Sequence, residues 1–439
     1  MRLFAPIFLM IFALFPAAAT DRPNIIVILA DDLGWGDIGV NGAELIETPR
    51  LDRMAAEGAR LTSFYASANV CTPARAALMT GRYAIRSGLA DQVIQPWSTH
   101  GLPASEITLP ELLKSNGYRT ALLGKWHLGH QPEHHPLEHG FDRFFGIPYS
   151  NDMNPLALYE GREAVEQPVE QATLTRRLTQ AAIDIVQNDT DEPFFIYLAH
   201  PMPHIPLHAS EAFRGRSAAG LYGDVVEELD HEVGRLIDEV VASGKANDTV
   251  IVFTSDNGPW FEGSSGPFRG RKGSSWEGGY RVPFITYAPG RIAPGTESGA
   301  PAGLIDLLPT FAELGGATVP GDRPIDGRDI WPVLTAGADS PHEAIWFFDN
   351  DQITALPVGN ERLVFQDYYR GFDLPLDQFG SFLLFDLEQD PTESYSLSRA
   401  RKERVAELRE RLEAARAAFD VPVRPPFRLP VPEPDNGER

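Results

Sequence analysis

Apolar residues fall along this chain in two patterns, and their alternation predicts an α/β protein. Residues 24–30, 194–199 and 249–254 are nearly unbroken apolar runs rich in β-branched and aromatic residues, as expected of strands buried on both faces of a parallel sheet. Residues 61–65, 120–123 and 282–288 read as further strands. Between them lie helical stretches. Residues 48–58 have a threonine cap, an early proline and a closing glycine, and residues 109–116, 176–187 and 304–314 also read as helices. Residues 221–243 form a long amphipathic helix with Val226, Leu229, Val233, Leu236 and Val240 on one face. After about Pro332 the pattern changes. Short apolar pieces at 344–348, 362–365 and 382–387, separated by turns, predict a small antiparallel sheet, and residues 393–419 a helix with Val405, Leu408 and Leu412 as its packing stripe. The expected architecture is α/β: a large mixed, mostly parallel sheet sandwiched by helices, plus a small C-terminal antiparallel sheet with a helix.

The two ends differ from the body. Met1-Arg2, an apolar run from Leu3 to Phe15 and the small residues Ala17-Ala18-Ala19 describe a secretory signal (1–19), cleaved near Ala19. No other stretch approaches membrane-spanning length, so no stable membrane insertion is expected. Prolines at 422, 425, 426, 430, 432 and 434 make 421–439 an extended tail. That leaves a main domain over 20–332 and a C-terminal subdomain over 333–420. A net charge of −23 argues against nucleic acid and anionic membranes as partners. Arginine greatly outnumbers lysine, and with the simple signal this favours a bacterial periplasm. The sequons at Asn188 and Asn247 matter only in a eukaryotic secretory pathway, where the destination would be lysosomal or extracellular.

Candidate chemistry lies at the strand ends. The first strand runs directly into Asp31-Asp32, and in open α/β sheets ligands gather beyond the carboxyl ends of strands. Two adjacent carboxylates repel unless a cation lies between them, which points to a hard metal site; the alternative is a pair of loop or cap aspartates. The strand at 249–254 ends in Ser255-Asp256-Asn257-Gly258, and with Asp31 and Asp32 the pair Asp256 and Asn257 completes an oxygen set of the sort calcium takes. The strand at 120–123 ends in Gly124-Lys125-Trp126-His127; either both Lys125 and His127 face the space over the sheet edge, or one does and the other is structural. The strand at 194–199 leads to His200-Pro201-Met202-Pro203-His204, where prolines stiffen a loop able to hold an imidazole. A glycine-rich loop at 269–279 carries Lys272, so two of only five lysines fall in loops expected at one sheet edge. His134, His135 and His139 lack tetrahedral zinc spacing and read as loop residues.

The only cysteine, Cys71, opens residues 70–82, a stretch with Pro73 suited to a first helical turn and Gly81 to end the helix. Cys71 then sits at the positive end of that helix, where an anion is welcome. A lone cysteine can equally be a small buried apolar residue.

Cys71-Thr72-Pro73-Ala74-Arg75 fits the Cys-x-Pro-x-Arg pattern of sulfatases. It is accompanied, in the family's order, by Asp31-Asp32, Gly-Lys-Trp-His-Leu-Gly at 124–129, Thr-Ser-Asp-Asn-Gly at 254–258 and Gly-Arg-Lys-Gly-Ser-Ser-Trp-Glu-Gly-Gly at 270–279. On these motifs nearly the whole mature chain resembles the type I, formylglycine-dependent sulfatases of the alkaline phosphatase-like superfamily, in the arylsulfatase A and N-acetylgalactosamine-6-sulfatase branch. The resemblance implies an enzyme that hydrolyses carbohydrate or aryl sulfate esters. It implies Ca²⁺ on Asp31, Asp32, Asp256 and Asn257, with modified Cys71 also drawn to the ion, and a Cys71 converted to formylglycine by a formylglycine-generating enzyme. The hydrate of that aldehyde would attack sulfur, held by Arg75 and Lys125. Lys272 and His204 would contact the sulfate and protonate the leaving oxygen, and His127 would take the proton whose loss expels sulfate and restores the aldehyde. Ser150 matches a sulfate-contacting serine. Where many relatives carry Arg-x-Gly-Lys-Tyr-Lys, this chain has Pro-Val-Gly-Asn-Glu-Arg-Leu at 357–363, a departure on the substrate side. Two other readings accommodate the same residues: a phosphomonoester or phosphonate ester hydrolase, and a sulfoglycan-binding protein with Cys71 unconverted.

Overall fold

The structure is a computed structural model that describes residues 22–188, 190–369 and 372–424; the expected signal segment and most of the proline-rich tail lie outside them. Its centre is a ten-stranded sheet. In chain order the strands are β1 (Asn24–Ala30), β2 (Ala59–Leu61), β3 (Arg119–Lys125), β4 (Arg143–Ile147), β5 (Leu158–Glu160), β6 (Glu163–Glu166), β7 (Phe194–Ala199), β8 (Thr249–Ser255), β9 (Phe284–Tyr287) and β10 (Thr296–Ser298). Their spatial order is β10-β2-β9-β8-β1-β7-β3-β4-β5-β6. The adjacent strands β8, β1, β7, β3 and β4 all run parallel, while β9 and β5 pair antiparallel on either side. The architecture is therefore the expected mixed, mostly parallel sheet.

Strand pleating sends alternate residues of β1 into two separate cores. Ile25, Val27 and Leu29 face one side, with Leu78 of α2 (Cys71–Thr80), Leu109 and Leu113 of α3 (Leu109–Ser115) and Leu308 and Phe311 of α6 (Leu307–Leu314). Ile26, Ile28 and Ala30 face the other, with Leu51 and Met54 of α1 (Pro49–Glu57), Leu178 of α4 (Leu174–Gln187) and Leu229 and Val233 of α5 (Gly220–Ala242). Both faces are covered, which is why the central strands read as continuous apolar runs rather than alternating ones.

The structure departs from the sequence expectations at the margins. Residues 61–65 form two short strands separated by a turn, and the helix expected over 304–314 begins with a single 3₁₀ turn. The short strands β4 to β6 were not anticipated; with three to five residues each and partly exposed positions, they carry no long apolar run.

After the main sheet, β11 (Phe347–Asp349), β12 (Gln352–Val358), β13 (Glu361–Val364) and β14 (Leu383–Asp386) form a four-stranded antiparallel sheet, covered by α7 (Lys402–Ala418). The β12 strand was not anticipated, and α7 starts nine residues later than expected because Glu393 is drawn into a buried network. In that network Arg362 of β13 pairs with Glu393 at 2.6 Å and Glu277 at 3.3 Å, and it also donates to the Ser275 carbonyl. Glu277 in turn accepts from Tyr65 Oη at 2.9 Å and Arg281 Nε at 2.8 Å. Tyr280 stacks on Phe347 with ring centres 3.9 Å apart. These contacts bolt the loop carrying Lys272 to the small sheet.

Replacing Arg362 by Ala would leave Glu393 buried without its cation beside Glu277, which keeps only Arg281. The expected loss is about 3–5 kcal/mol of stability, read as a melting temperature lower by at least ~5 °C in a thermal scan. An unchanged melt would show that the network contributes nothing to holding the loop.

Candidate active site

The five parallel strands each deliver a side chain at their carboxyl ends. Past β1 come Asp31 and Asp32, past β8 Asp256 and Asn257, at the end of β3 Lys125 and then His127, past β4 Ser150, and past β7 His204. From the other side α2 points its N-terminus at the same spot, placing Cys71 there with Arg75 one turn further on. Gly81 ends this helix in the left-handed conformation, its N–H bonded to the Ala77 carbonyl at 2.9 Å. The structure thus brings together every residue to which the sequence resemblance gave a role in the site, and of Lys125 and His127 both face it.

Burial and charge are tightly balanced there. Arg75, Lys125, Asp31 and Asp256 are fully buried. Arg75 donates from Nε to Asp256 Oδ2 at 3.0 Å and from Nη1 to the Lys125 carbonyl at 2.9 Å, with Nη2 3.5 Å from Asp31. Lys125 Nζ lies 2.5 Å from Asp31 Oδ2 and 3.2 Å from Ser150 Oγ. Lys272 Nζ lies 2.6 Å from Asp32 Oδ1 and 3.4 Å from Cys71 Sγ. Three carboxylates therefore face three basic side chains. Burial alone would raise the Asp31 carboxyl, but Lys125, His204, Arg75 and Lys272 together hold it well below the usual range. Asp256 is pushed the other way by burial and by Asp31. Lys272, which burial alone would discharge, is kept protonated by Asp32.

Oxygen donors converge on one point. Carboxylate oxygens of Asp31, Asp32 and Asp256 and the Cys71 sulfur lie within 4.8 Å of one another. Asn257 Nδ2 is committed to Asp32 Oδ1 at 2.8 Å and the Gly258 carbonyl at 2.9 Å, which leaves the buried Asn257 Oδ1 without a hydrogen-bond partner among the described residues. Three carboxylates and an orphaned amide oxygen suit a hard divalent cation. His134, His135 and His139 belong to none of the metal-capable groups found among the described residues.

Hydrogen bonds fix both histidine tautomers, because a carbonyl oxygen can only accept. His127 Nε2 lies 3.0 Å from the Ile94 carbonyl and must carry the proton, so Nδ1, buried and unpartnered, holds the free lone pair. Burial, with Lys125 and Arg75 nearby, keeps its pKa well below the ordinary histidine range. His204 Nδ1 lies 2.5 Å from the Ile205 carbonyl, which turns Nε2 inward, 3.6 Å from Asp32 Oδ2. Asp32 and His127 are both left-handed, at φ 65° and 60°, a conformation that costs roughly 1–3 kcal/mol at a non-glycine residue and clusters at functional sites. The Asp32 N–H is held by Asp256 Oδ1 at 3.2 Å. Thr72 holds His127: its Oγ1 donates to the His127 carbonyl at 2.9 Å and accepts from the Ile94 N–H at 3.0 Å.

A cavity of about 710 Å³ opens over these groups, with Cys71, His127, Ser150, His204 and Lys272 in its wall. The small sheet reaches it too, through Asp349 and Asn350. Asn69 donates to Asp349 Oδ1 at 3.0 Å and to the Ser274 carbonyl at 3.2 Å, tying this rim to the Lys272 loop. Sequence reasoning missed Thr72, Asn69 and Asp349. Thr72 lies inside the cysteine motif and could have been found there; the pairing of Asn69 with Asp349 had no local signal.

The family model described as Sulfatase matches residues 23–317. N-acetylgalactosamine-6-sulfatase of Mus musculus is 39% identical, covering 88% of this chain and 84% of its own length. Arylsulfatase G of Rattus norvegicus is 36% identical, over 87% and 84%. Among solved structures, Ps i-CgsB in complex with k-i-k-neocarrahexaose superposes with a TM-score of 0.80 at 29% identity, covering 91% of this chain and 94% of that one. With more than half its length matched by the family model and curated relatives above 30% identity, this chain belongs to the sulfatase family, the sulfuric ester hydrolases.

Proposed function

We propose that the protein hydrolyses sulfate monoesters of carbohydrates to an alcohol and inorganic sulfate, using formylglycine at position 71 and one Ca²⁺ on Asp31, Asp32, Asp256 and Asn257. The observation that carries this reading is the setting of Cys71, at a helix N-terminus with Lys272 Nζ 3.4 Å and Asp31 Oδ1 3.5 Å from its sulfur. The helix N-terminus, Lys125 and Lys272 favour an anion at residue 71, yet burial, with Asp256 and Asp31 close by, pushes its thiol up. A protonated thiol is a poor nucleophile. Oxidation by a formylglycine-generating enzyme would give an aldehyde whose hydrate supplies an oxygen nucleophile toward sulfur and can be restored by elimination. Bound Ca²⁺ would supply positive charge toward the sulfate oxygens.

The chain's own residues do the rest. Arg75 and Lys125 fix the Asp31 and Asp256 carboxylates and leave a positive wall behind residue 71. Lys272, held charged, and Ser150 are placed to contact sulfate. His204 presents Nε2 to the cavity and, with both ring nitrogens protonated, would give its Nε2 proton to the departing ester oxygen. His127, neutral with its lone pair on Nδ1, would accept the proton from the hydrate's second hydroxyl. The carbohydrate assignment is supported by the N-acetylgalactosamine-6-sulfatase relative and by the oligosaccharide bound to Ps i-CgsB. Export by the N-terminal segment, to the periplasm of a bacterium, fits the apolar run at 3–15, and no helix among the described residues is long and apolar enough to cross a membrane.

Protein produced together with a formylglycine-generating enzyme should show the Cys71 peptide at the mass of the aldehyde or its hydrate, and Cys71→Ala should fold normally but lose turnover of 4-nitrophenyl sulfate. Activity retained by that variant would overturn the mechanism. Returning Ca²⁺ to chelator-treated protein should raise the melting temperature, since a ligand at a hundred times its Kd adds about 2.7 kcal/mol. Asp256→Asn should lose most of that rise, and indifference of the wild type to Ca²⁺ would remove the metal assignment. His204→Ala should lower kcat on a sugar sulfate by roughly 10²-fold but on 4-nitrophenyl sulfate by much less, because only the poor leaving group needs the proton. Equal losses would exclude His204 as the acid.

A further inference from the structure

We propose that the cavity selects a sugar carrying a single sulfate and discriminates against substrates with a second sulfate or a neighbouring carboxylate. This rests on the sulfatase reading above and adds to it the charge class of the substrate. The argument is the distribution of charge between the floor of the cavity and its mouth. Among the described residues of the wall the only basic side chains are Lys272, His204 and the neutral His127, and all three belong to the constellation around Cys71. Arg75 and Lys125 lie behind them with no exposed surface. There is thus one place for an anion, at the bottom.

The mouth is the reverse. Its ionisable groups are Asp152 and Asp349, and its other polar residues are the neutral Gln92, Gln95, Asn154 and Asn350. Asp152 is exposed. Trp97, 79% exposed, offers a flat apolar ring at the same rim. A wide aromatic face beside carboxamides fits the C–H face and hydroxyls of an uncharged pyranose. Among the described residues it offers no cation to a second sulfate.

Two further observations point the same way. A side cavity of about 460 Å³ shares Pro96 with the main one and is walled by proline, histidine and aromatic residues; its one guanidinium, Arg162, is ion-paired with Glu138. On the side of the small sheet, Arg362 is the only basic residue of the 357–363 segment, and it is turned into the buried network with Glu277 and Glu393. At long range the net charge of −23 opposes the approach of any polyanion. A second anionic group held near Asp152 and Asp349 in a partly desolvated mouth would meet like-charge repulsion large enough for about a tenfold discrimination.

The test uses full-length, formylglycine-bearing protein with Ca²⁺, first on 4-nitrophenyl sulfate and then on monosulfated hexosamines paired with their disulfated counterparts. For each monosulfated sugar cleaved, kcat/KM on the disulfated partner should be at least ~10-fold lower at low ionic strength, and the gap should narrow when salt shortens the Debye length to about 8 Å. Asp152→Lys should shrink the ratio by at least ~3-fold; Asp152→Asn should move it the same way by less. Equal or better cleavage of disulfated sugars by the wild type, or a ratio unmoved in both variants, would overturn the proposal. Turnover of the aryl ester with no sugar accepted would do so as well, and would leave the sulfatase reading standing. Failure to cleave any sulfate ester would bring down both.

Discussion

Three carboxylates within a few ångströms of one another, away from water, cannot exist without compensation, and much of this structure supplies it. Asp31, Asp32 and Asp256 leave two neighbouring strands at the same level because β1 and β8 pair in register from Asn24 with Thr249 to Ala30 with Ser255. The sheet therefore forces the repulsion. Arg75, Lys125 and Lys272 relieve it, and each must be buried to do so, which requires that each be held by the carboxylates it neutralises. Removing one member leaves another charge stranded. A divalent cation added to this balanced set would give the site a net positive charge, matched to the single negative charge of a sulfate monoester.

That electrostatic demand reaches into the backbone. Asp32 follows Asp31 in a left-handed conformation, and His127 follows Lys125 by two residues in another. In each case the chain leaves a strand and must turn at once, so that adjacent or near-adjacent side chains reach the same space. The strain is restrained by particular bonds: the Asp32 N–H to Asp256, and the His127 carbonyl to Thr72. Thr72 sits beside Cys71 at the start of a helix whose residues are all buried. The position of residue 71 and the orientation of the histidine base are therefore set by one element.

The parts of this arrangement that could be read from the sequence are those governed by burial. Strands β1, β7 and β8 are covered on both faces and so carry continuous apolar runs, and polar residues directly after such runs mark the ligand edge. Asp31, Asp32, Asp256, Asn257, Lys125 and His204 were visible on that ground. The short strands β4 to β6 were not, since three to five residues with partly exposed positions have little pattern to show. The start of α7 was misplaced for a different reason. Residues from Glu393 have helix-forming composition, but Glu393 is taken by Arg362 and the Glu277 N–H, so tertiary contacts override propensity. Asn69 and Asp349, 280 residues apart, are joined only by the fold.

Chemistry and selectivity consequently sit on different kinds of structure. The reacting groups lie at the ends of five parallel strands, on a fully buried helix and, for Lys272, on a loop bolted to the small sheet, where few substitutions could be absorbed. The mouth is built from the segments around Gln92 to Trp97, Asp152 to Asn154 and Asp349 to Asn350, in which Ile94 and Asp349 are tied to the framework below. The side chains of Gln92, Trp97, Asp152 and Asn154 are exposed and can change without unbalancing the carboxylates beneath. A single anion-binding floor common to any sulfate ester can therefore be combined with a mouth of almost any charge, and in this chain that mouth is acidic and neutral. The substrate's sulfate is recognised by what the sheet cannot alter, and the rest of the substrate by what the loops and the small sheet are free to vary.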